Sequence, residues 1–100
     1  MVQPLPVTPS DIREAYRRIA AHVRRTPLLS ADRGGAGEAV ITFKLELLQH
    51  AGSFKARGAF NNLLSRAVPA AGVAAASGGN HGVAVALAAA WRSHAACASA

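Results

Sequence analysis

A chain of 100 residues is enough for one small domain with a modest core and too short for two complete ones. Apolar residues make up 51% and charged ones 16%, which excludes a disordered, highly charged chain. The formal net charge of +6 comes almost wholly from arginine, with Lys44 and Lys55 the only lysines, and admits an anionic partner such as nucleic acid.

The segment 1–9, with three prolines, is extended in character, and it lacks the basic and apolar regions of a secretory leader. At its end Thr8 caps a helix, Pro9 suits the first helical position and Asp11 favours the positive end. Ile12, Ala15, Tyr16, Ile19, Ala20 and Val23 recur at helical spacing as one apolar face over about four turns. Arg13, Arg17, Arg18, Arg24 and Arg25 lie on or beside the same segment, so their charge reads as a solvated helix face rather than a nucleic-acid surface.

"RRTPLLS" ends this helix, because Pro27 disfavours helical geometry at Thr26. "DRGGAGE" is a glycine-rich turn, and β-branched residues with alternation through Ile41, Phe43 and Leu45 predict a strand from about Val40 to Glu46. After the loop "QHAG", Ser53 caps a second helix whose apolar positions are Ala56, Ala59, Phe60, Leu63, Leu64 and Ala67; Pro69 and Gly72 close it. "GVAAAS" is a short apolar run of the kind a buried strand shows, although periodicity alone also allows helix. "GGNHG" breaks it, and a third helix runs from about Asn80 to Trp91. The order helix, strand, helix, strand, helix predicts an α/β unit with parallel strands and crossovers.

The run Val83–Trp91 falls short of the roughly 20 residues needed to span a bilayer. Cys97 is the only cysteine, so no internal disulfide forms, which fits a reducing cytoplasm. No pair among the four histidines has metal-ligand spacing.

Two stretches carry chemistry. In "GSFKARGAF", Lys55 stands at a helix start, where the dipole disfavours a cation, and Phe54, Ala56 and Ala59 would partly desolvate it. Both effects favour the neutral amine, a nucleophile toward carbonyls; the plainer reading is a surface lysine reaching past apolar neighbours. In "ASGGNHG", two glycines allow close approach of a ligand, Ser77 and Asn80 offer hydrogen bonds, and free N–H groups at the helix start attract a carboxylate. The pattern is neither of the common phosphate-loop signatures, and an ordinary glycine-rich turn capped by asparagine explains it as well.

Taken together, "KLELLQHAGSFKARGAFNNL" and "ASGGNHGVAVALAA", with "RTPLL" upstream, resemble the fold type II pyridoxal-phosphate enzymes, specifically the threonine/serine dehydratase and serine racemase group; the similarity runs from about Asp11 to Ala90. The resemblance implies an incomplete fold of the tryptophan synthase β-like kind. Residues 1–50 would begin the large domain and residues 51–100 the small, cofactor-binding domain. It implies that Lys55 forms the Schiff base with pyridoxal 5'-phosphate, that Phe54 packs on the cofactor ring and that Asn80 bonds its phenolic oxygen. Ser77, Gly79, Asn80 and His81 would hold the substrate carboxylate. The implied reaction is loss of water and ammonia from L-threonine or L-serine to give a 2-oxo acid. Racemases of the group place a second serine where this chain has Gly78, which favours dehydration over the alternatives of racemisation or β-replacement.

Family members are considerably longer. The glycine-rich loop for the cofactor phosphate and the residue that meets the pyridine nitrogen do not occur in these 100 residues, and "WRSHAACASA" departs from the family pattern. We therefore expect an N-terminal fragment, a truncated product or a reading-frame change near Ala90, inactive by itself. A small basic nucleic-acid module is the remaining alternative, disfavoured because the arginines lack interleaved aromatic residues.

Overall fold

Why the first helix begins where it does is visible in the computed structural model, which describes residues 3–4, 6–32 and 39–98, with side chains to residue 93. The Thr8 side chain accepts from the Asp11 N–H, and the Asp11 carboxylate accepts from the Thr8 N–H, so two otherwise unpaired donors at the start of α1 (Pro9–Ile19) are satisfied reciprocally. The helix is shorter than its apolar spacing predicts. Ile19 is buried and Val23 packs on the core beyond the helix end, whereas Ile12 and Tyr16 stay exposed. Arg18 reaches across to the Asn61 side-chain oxygen at 2.6 Å.

Two strands follow, β1 (Leu28–Ala31) and β2 (Ile41–Lys44), paired antiparallel with Leu28 opposite Lys44 and Ala31 opposite Ile41. The strand expected from Val40 to Glu46 is thus shorter, and its neighbour is an antiparallel strand that was not expected rather than the parallel one expected at 73–77. "PLLSA" contributes a strand rather than a mere helix stop, because it lies alongside "ITFK" and can exchange backbone hydrogen bonds with it. The glycine-rich turn between them falls at residues 33–38, outside the described residues. The run from Val73 to Ser77, expected as a second parallel strand, forms no ladder among the described residues; a strand needs a paired neighbour, and the sheet holds only β1 and β2. The α/β class stands, with one two-stranded sheet among the described residues.

Helix α2 (Lys55–Leu64) and helix α3 (Asn80–Ala98) form the main packed layer. Ala56, Ala59, Phe60 and Leu63 on α2 and Ala84 and Ala88 on α3 are buried together with Ile19, the three-to-four spacing expected of an inward face. Leu64 is only half-buried and Ala67 is exposed. Four of these seven buried residues are alanines, so much of the α2–α3 contact is made by methyl groups. Phe60 is the one large side chain completely enclosed among the described residues, flanked by the rings of His22 and Trp91, each 5.3 Å away between centroids. The Arg92 guanidinium donates to the Leu63 and Arg66 carbonyls, capping the open end of α2. Helix α3 continues past Trp91 to Ala98, as the high helix propensity of alanine allows.

The radius of gyration is 17.4 Å, against about 13 Å for a compact domain of this length. Large apolar side chains accordingly stand in solvent, among them Leu28, Phe43, Leu47 and Phe54. Among the described residues, no helix is long and apolar enough to cross a membrane.

Candidate active site

The approach to Lys55 is an irregular segment of two single 3-10 turns, Glu46–Leu48 and His50–Gly52. Ala51 (φ 65°) and Gly52 (φ 75°) both adopt left-handed backbone; glycine does so freely, whereas alanine carries a steric cost of about 1 kcal/mol. This reversal turns the chain into extended Ser53, which is buried and whose Oγ accepts from the Lys55 N–H at 3.3 Å. Ser53 thus serves the helix start, one residue ahead of the cap position occupied by Phe54.

Lys55 and Phe54 project from this first turn of α2. Both are exposed, with Phe54 at 61%, and the Lys55 Nζ lies 5.2 Å from the centroid of the Phe54 ring. The expected desolvation of Lys55 is therefore not supplied by these residues: Ala56 and Ala59 turn inward, away from the amine.

The second predicted group begins α3. Ser77 Oγ accepts from both the Gly79 and Gly82 N–H groups at 3.2 Å, which leaves its own proton free to donate. Among the described residues, the Asn80 and His81 N–H groups find no protein acceptor, and they sit at the positive end of a 19-residue helix. Ser77, Gly78, Gly79, Asn80 and His81 are all exposed. Ser77, Gly78 and Gly79 line an open cleft of about 560 Å³ with Val83 and Ala86. His81 instead faces an adjoining hollow of about 200 Å³ with Asn62, Arg66 and Val85. Neither space is lined by Lys55 or Phe54, and no hydrogen bond or ring contact among the described residues joins the two groups. The chain presents them as two separate faces on packed helices.

Sequence reasoning missed the polar network beneath Lys55. Buried Gln49 accepts from the Arg24 N–H at 2.8 Å and donates to the Arg24 carbonyl at 2.9 Å, a reciprocal pair formed by one carboxamide. The Arg57 guanidinium forks onto both Glu46 oxygens and also reaches the Arg24 carbonyl. Thr26 Oγ donates to Glu46 at 2.6 Å, and the Lys44 Nζ donates to the Thr26 carbonyl at 3.3 Å. The Arg57 hydrogen bonds, aided by Thr26, hold the Glu46 carboxyl down to about 2 against the opposing effect of burial. The same bonds raise Arg57 further above its ordinary range. Nothing in an 11-residue separation spells out the pairing of Glu46 with Arg57.

Comparison with known proteins decides the family. A family model described as "Pyridoxal-phosphate dependent enzyme" matches residues 19–98. The chain belongs to this family. It is 49% identical over 75 residues to the phenylserine dehydratase of Ralstonia pickettii, covering 72% of this chain and 23% of that protein. It is 47% identical over 90 residues to the L-threonine ammonia-lyase of Thermotoga maritima, covering 83% of this chain and 21% of that one. The solved structure of maize serine racemase superposes with a TM-score of 0.75 at 44% identity, covering 85% of this chain and 28% of that chain. This chain thus spans about a quarter of the length of the curated relatives it matches.

The cofactor of the family is pyridoxal phosphate. The residues present fit it in kind: an exposed amine, an exposed aromatic ring 5.2 Å away for a planar ring to pack against, and an amide side chain at a helix start.

Proposed function

We propose that this sequence supplies the cofactor lysine and the substrate-carboxylate loop of a pyridoxal-phosphate-dependent dehydratase acting on a hydroxy amino acid, L-threonine or L-serine. The observation that carries the reading is the pairing of an exposed lysine at one helix start with two acceptor-free N–H groups at another, within a chain of this family. Pyridoxal phosphate, when bound, supplies an electron-withdrawing ring that takes up negative charge from the substrate α-carbon. Lys55 Nζ would hold the cofactor, and its free amine would accept the substrate α-proton. Phe54 orients the ring and Asn80 its phenolic oxygen. The Asn80 and His81 N–H groups, with the Ser77 hydroxyl, hold the α-carboxylate beside Gly79.

Gly78 favours dehydration over racemisation. A Cβ built there meets nothing within 4 Å and the backbone is not left-handed, so no steric demand calls for glycine. What the glycine removes is a hydroxyl, the proton donor that racemases of the group carry at this place.

Lys55 and Phe54 stand in solvent, and this chemistry depends on excluding water. By itself the 100-residue chain is accordingly expected to attach cofactor without sustained turnover; continued 2-oxobutanoate formation from L-threonine would refute that.

Borohydride trapping of pyridoxal phosphate followed by peptide mapping tests the lysine. A label at Lys55, absent in Lys55→Ala, supports the reading, and a label confined to Lys44 and the α-amine overturns it. Backbone NMR with L-threonine or L-serine should shift the Asn80 and His81 amides; unmoved amides overturn the carboxylate assignment. In a longer protein carrying this segment, 2-oxobutanoate from L-threonine is the expected product, and D-serine formed from L-serine without 2-oxo acid would contradict dehydration.

A further inference from the structure

We infer that Gln49, Glu46 and Arg57 are positioning residues for Lys55, holding the strained turn before it and the first turn of α2 against the segment 24–26. The inference rests on the reading of Lys55 as the cofactor lysine, but its geometry is independent of any cofactor.

The first turn of α2 has one local side-chain anchor, the Ser53 Oγ that accepts from the Lys55 N–H. Its cap residue Phe54 makes no side-chain hydrogen bond, Phe54 and Lys55 are exposed, and the chain before them runs through left-handed Ala51 and Gly52. Such a turn persists only where surrounding contacts over-determine it.

Those contacts come from the network. Gln49 lies just before the turn and fixes it on one side, because its carboxamide is bound to both polar backbone groups of Arg24 and its Oε1 also accepts from the His50 N–H at 3.0 Å. Arg57 fixes the other side. It lies two residues after Lys55, hence on a different face of the helix, and its planar fork grips Glu46 and the Arg24 carbonyl together. Glu46 in turn is held by Thr26. The turn and the helix start are thereby both bonded to one short stretch, residues 24–26.

A purely stabilising ion pair would need only opposite charges. A positioning pair needs the fork, which lysine cannot reproduce. Arg57→Lys therefore separates the two roles, and Gln49→Met, which keeps length but removes all three carboxamide hydrogen bonds, tests the other anchor.

The measurement uses the full chain and reductive methylation with formaldehyde and cyanoborohydride, a carbonyl reaction that needs no cofactor. Peptide mapping gives the rate at Lys55 relative to the α-amine at Met1, first in folded chain and then in denaturant. The wild-type folded ratio is expected to differ from the denatured ratio, and in Arg57→Lys and Gln49→Met to move toward it by about threefold with helix content unchanged. Thr42→Ala, placed on the sheet beside Ser30, should leave the ratio unaltered.

Variants that keep both their helix content and the wild-type ratio would overturn the inference. So would loss of helix in Arg57→Lys, since it would show that the pair sustains the fold and does not specifically orient the amine. If the ratios move as expected but pyridoxal phosphate never labels Lys55, the positioning stands and the cofactor reading falls.

Discussion

His50 meets Trp91 edge-on, with ring centroids 4.8 Å apart and planes at 66°, so that the turn before the candidate lysine touches the far part of α3. Burial and the nearby positive charge of Arg24 push the His50 imidazole below its ordinary 6.5. Because the unfolded chain then binds a proton more readily, the stability tied to neutral His50 is present above about pH 6.5 and is lost as pH falls through the lower folded value. As protonated imidazole quenches indole, Trp91 emission should fall with a midpoint below 6.5. His50→Gln should abolish that transition; an unchanged titration in the variant would assign it elsewhere.

Glu46 gives an acid-sensitive component of opposite origin. Its folded value near 2 lies below the ordinary 4.5, so its stabilising effect is full above 4.5 and disappears as pH falls toward 2. The Glu46 side chain retains 15% exposure and Arg57 27%, and solvent screening reduces the benefit to about 1 to 2 kcal/mol. Denaturant melts of wild type and Glu46→Gln should therefore diverge at about pH 7 and converge at about pH 2. Equal separation at both values would remove Glu46 as the titrating group.

Phe60 is the clearest stability determinant. Truncation to alanine should cost about 3–5 kcal/mol, comparable with the whole stability of a small domain. We expect Phe60→Ala to lose the cooperative thermal transition and the near-ultraviolet signature of Trp91, whose ring it contacts. A variant that melts as the wild type does would show that the core lies elsewhere.

Two glycines on either side of the α3 start should behave differently. A Cβ at Gly82 would lie 2.9 Å from the Ser77 carbonyl oxygen, while one at Gly78 meets nothing. Gly82→Ala should push Ser77 away, break its bonds to the Gly79 and Gly82 amides, and cost about 1–3 kcal/mol. Gly78→Ser should stay within about 0.5 kcal/mol of wild type. Amide exchange at Gly79 and Gly82 reads both effects, and equal protection in the two variants would contradict the close approach.

The helices were legible because their information is local. Thr8, Pro9 and Asp11 announce α1, and the spacing of Ala56, Ala59, Phe60 and Leu63 identifies the buried face of α2. Strands were less legible because a strand exists only with a neighbour: "PLLSA" gained one in "ITFK", and the more apolar "VAAAS" did not. The candidate residues Lys55 and Asn80 are legible as motifs, and both stand at helix starts. The anchors Gln49, Glu46 and Arg57 escaped notice because their partners are a distant backbone segment and a carboxylate on another turn, relations that no spacing rule encodes.

The alanine-rich contact between α2 and α3 has a geometric meaning beyond stability. Each helix carries one of the two candidate groups at its beginning, Lys55 on α2 and the 77–81 segment on α3, so the gap between them depends on how closely the two helices pack. Methyl-sized contacts make that packing close and nearly incompressible. Changing Ala59 or Ala84 to a larger residue would widen the gap, detuning the spacing between the two groups without touching either.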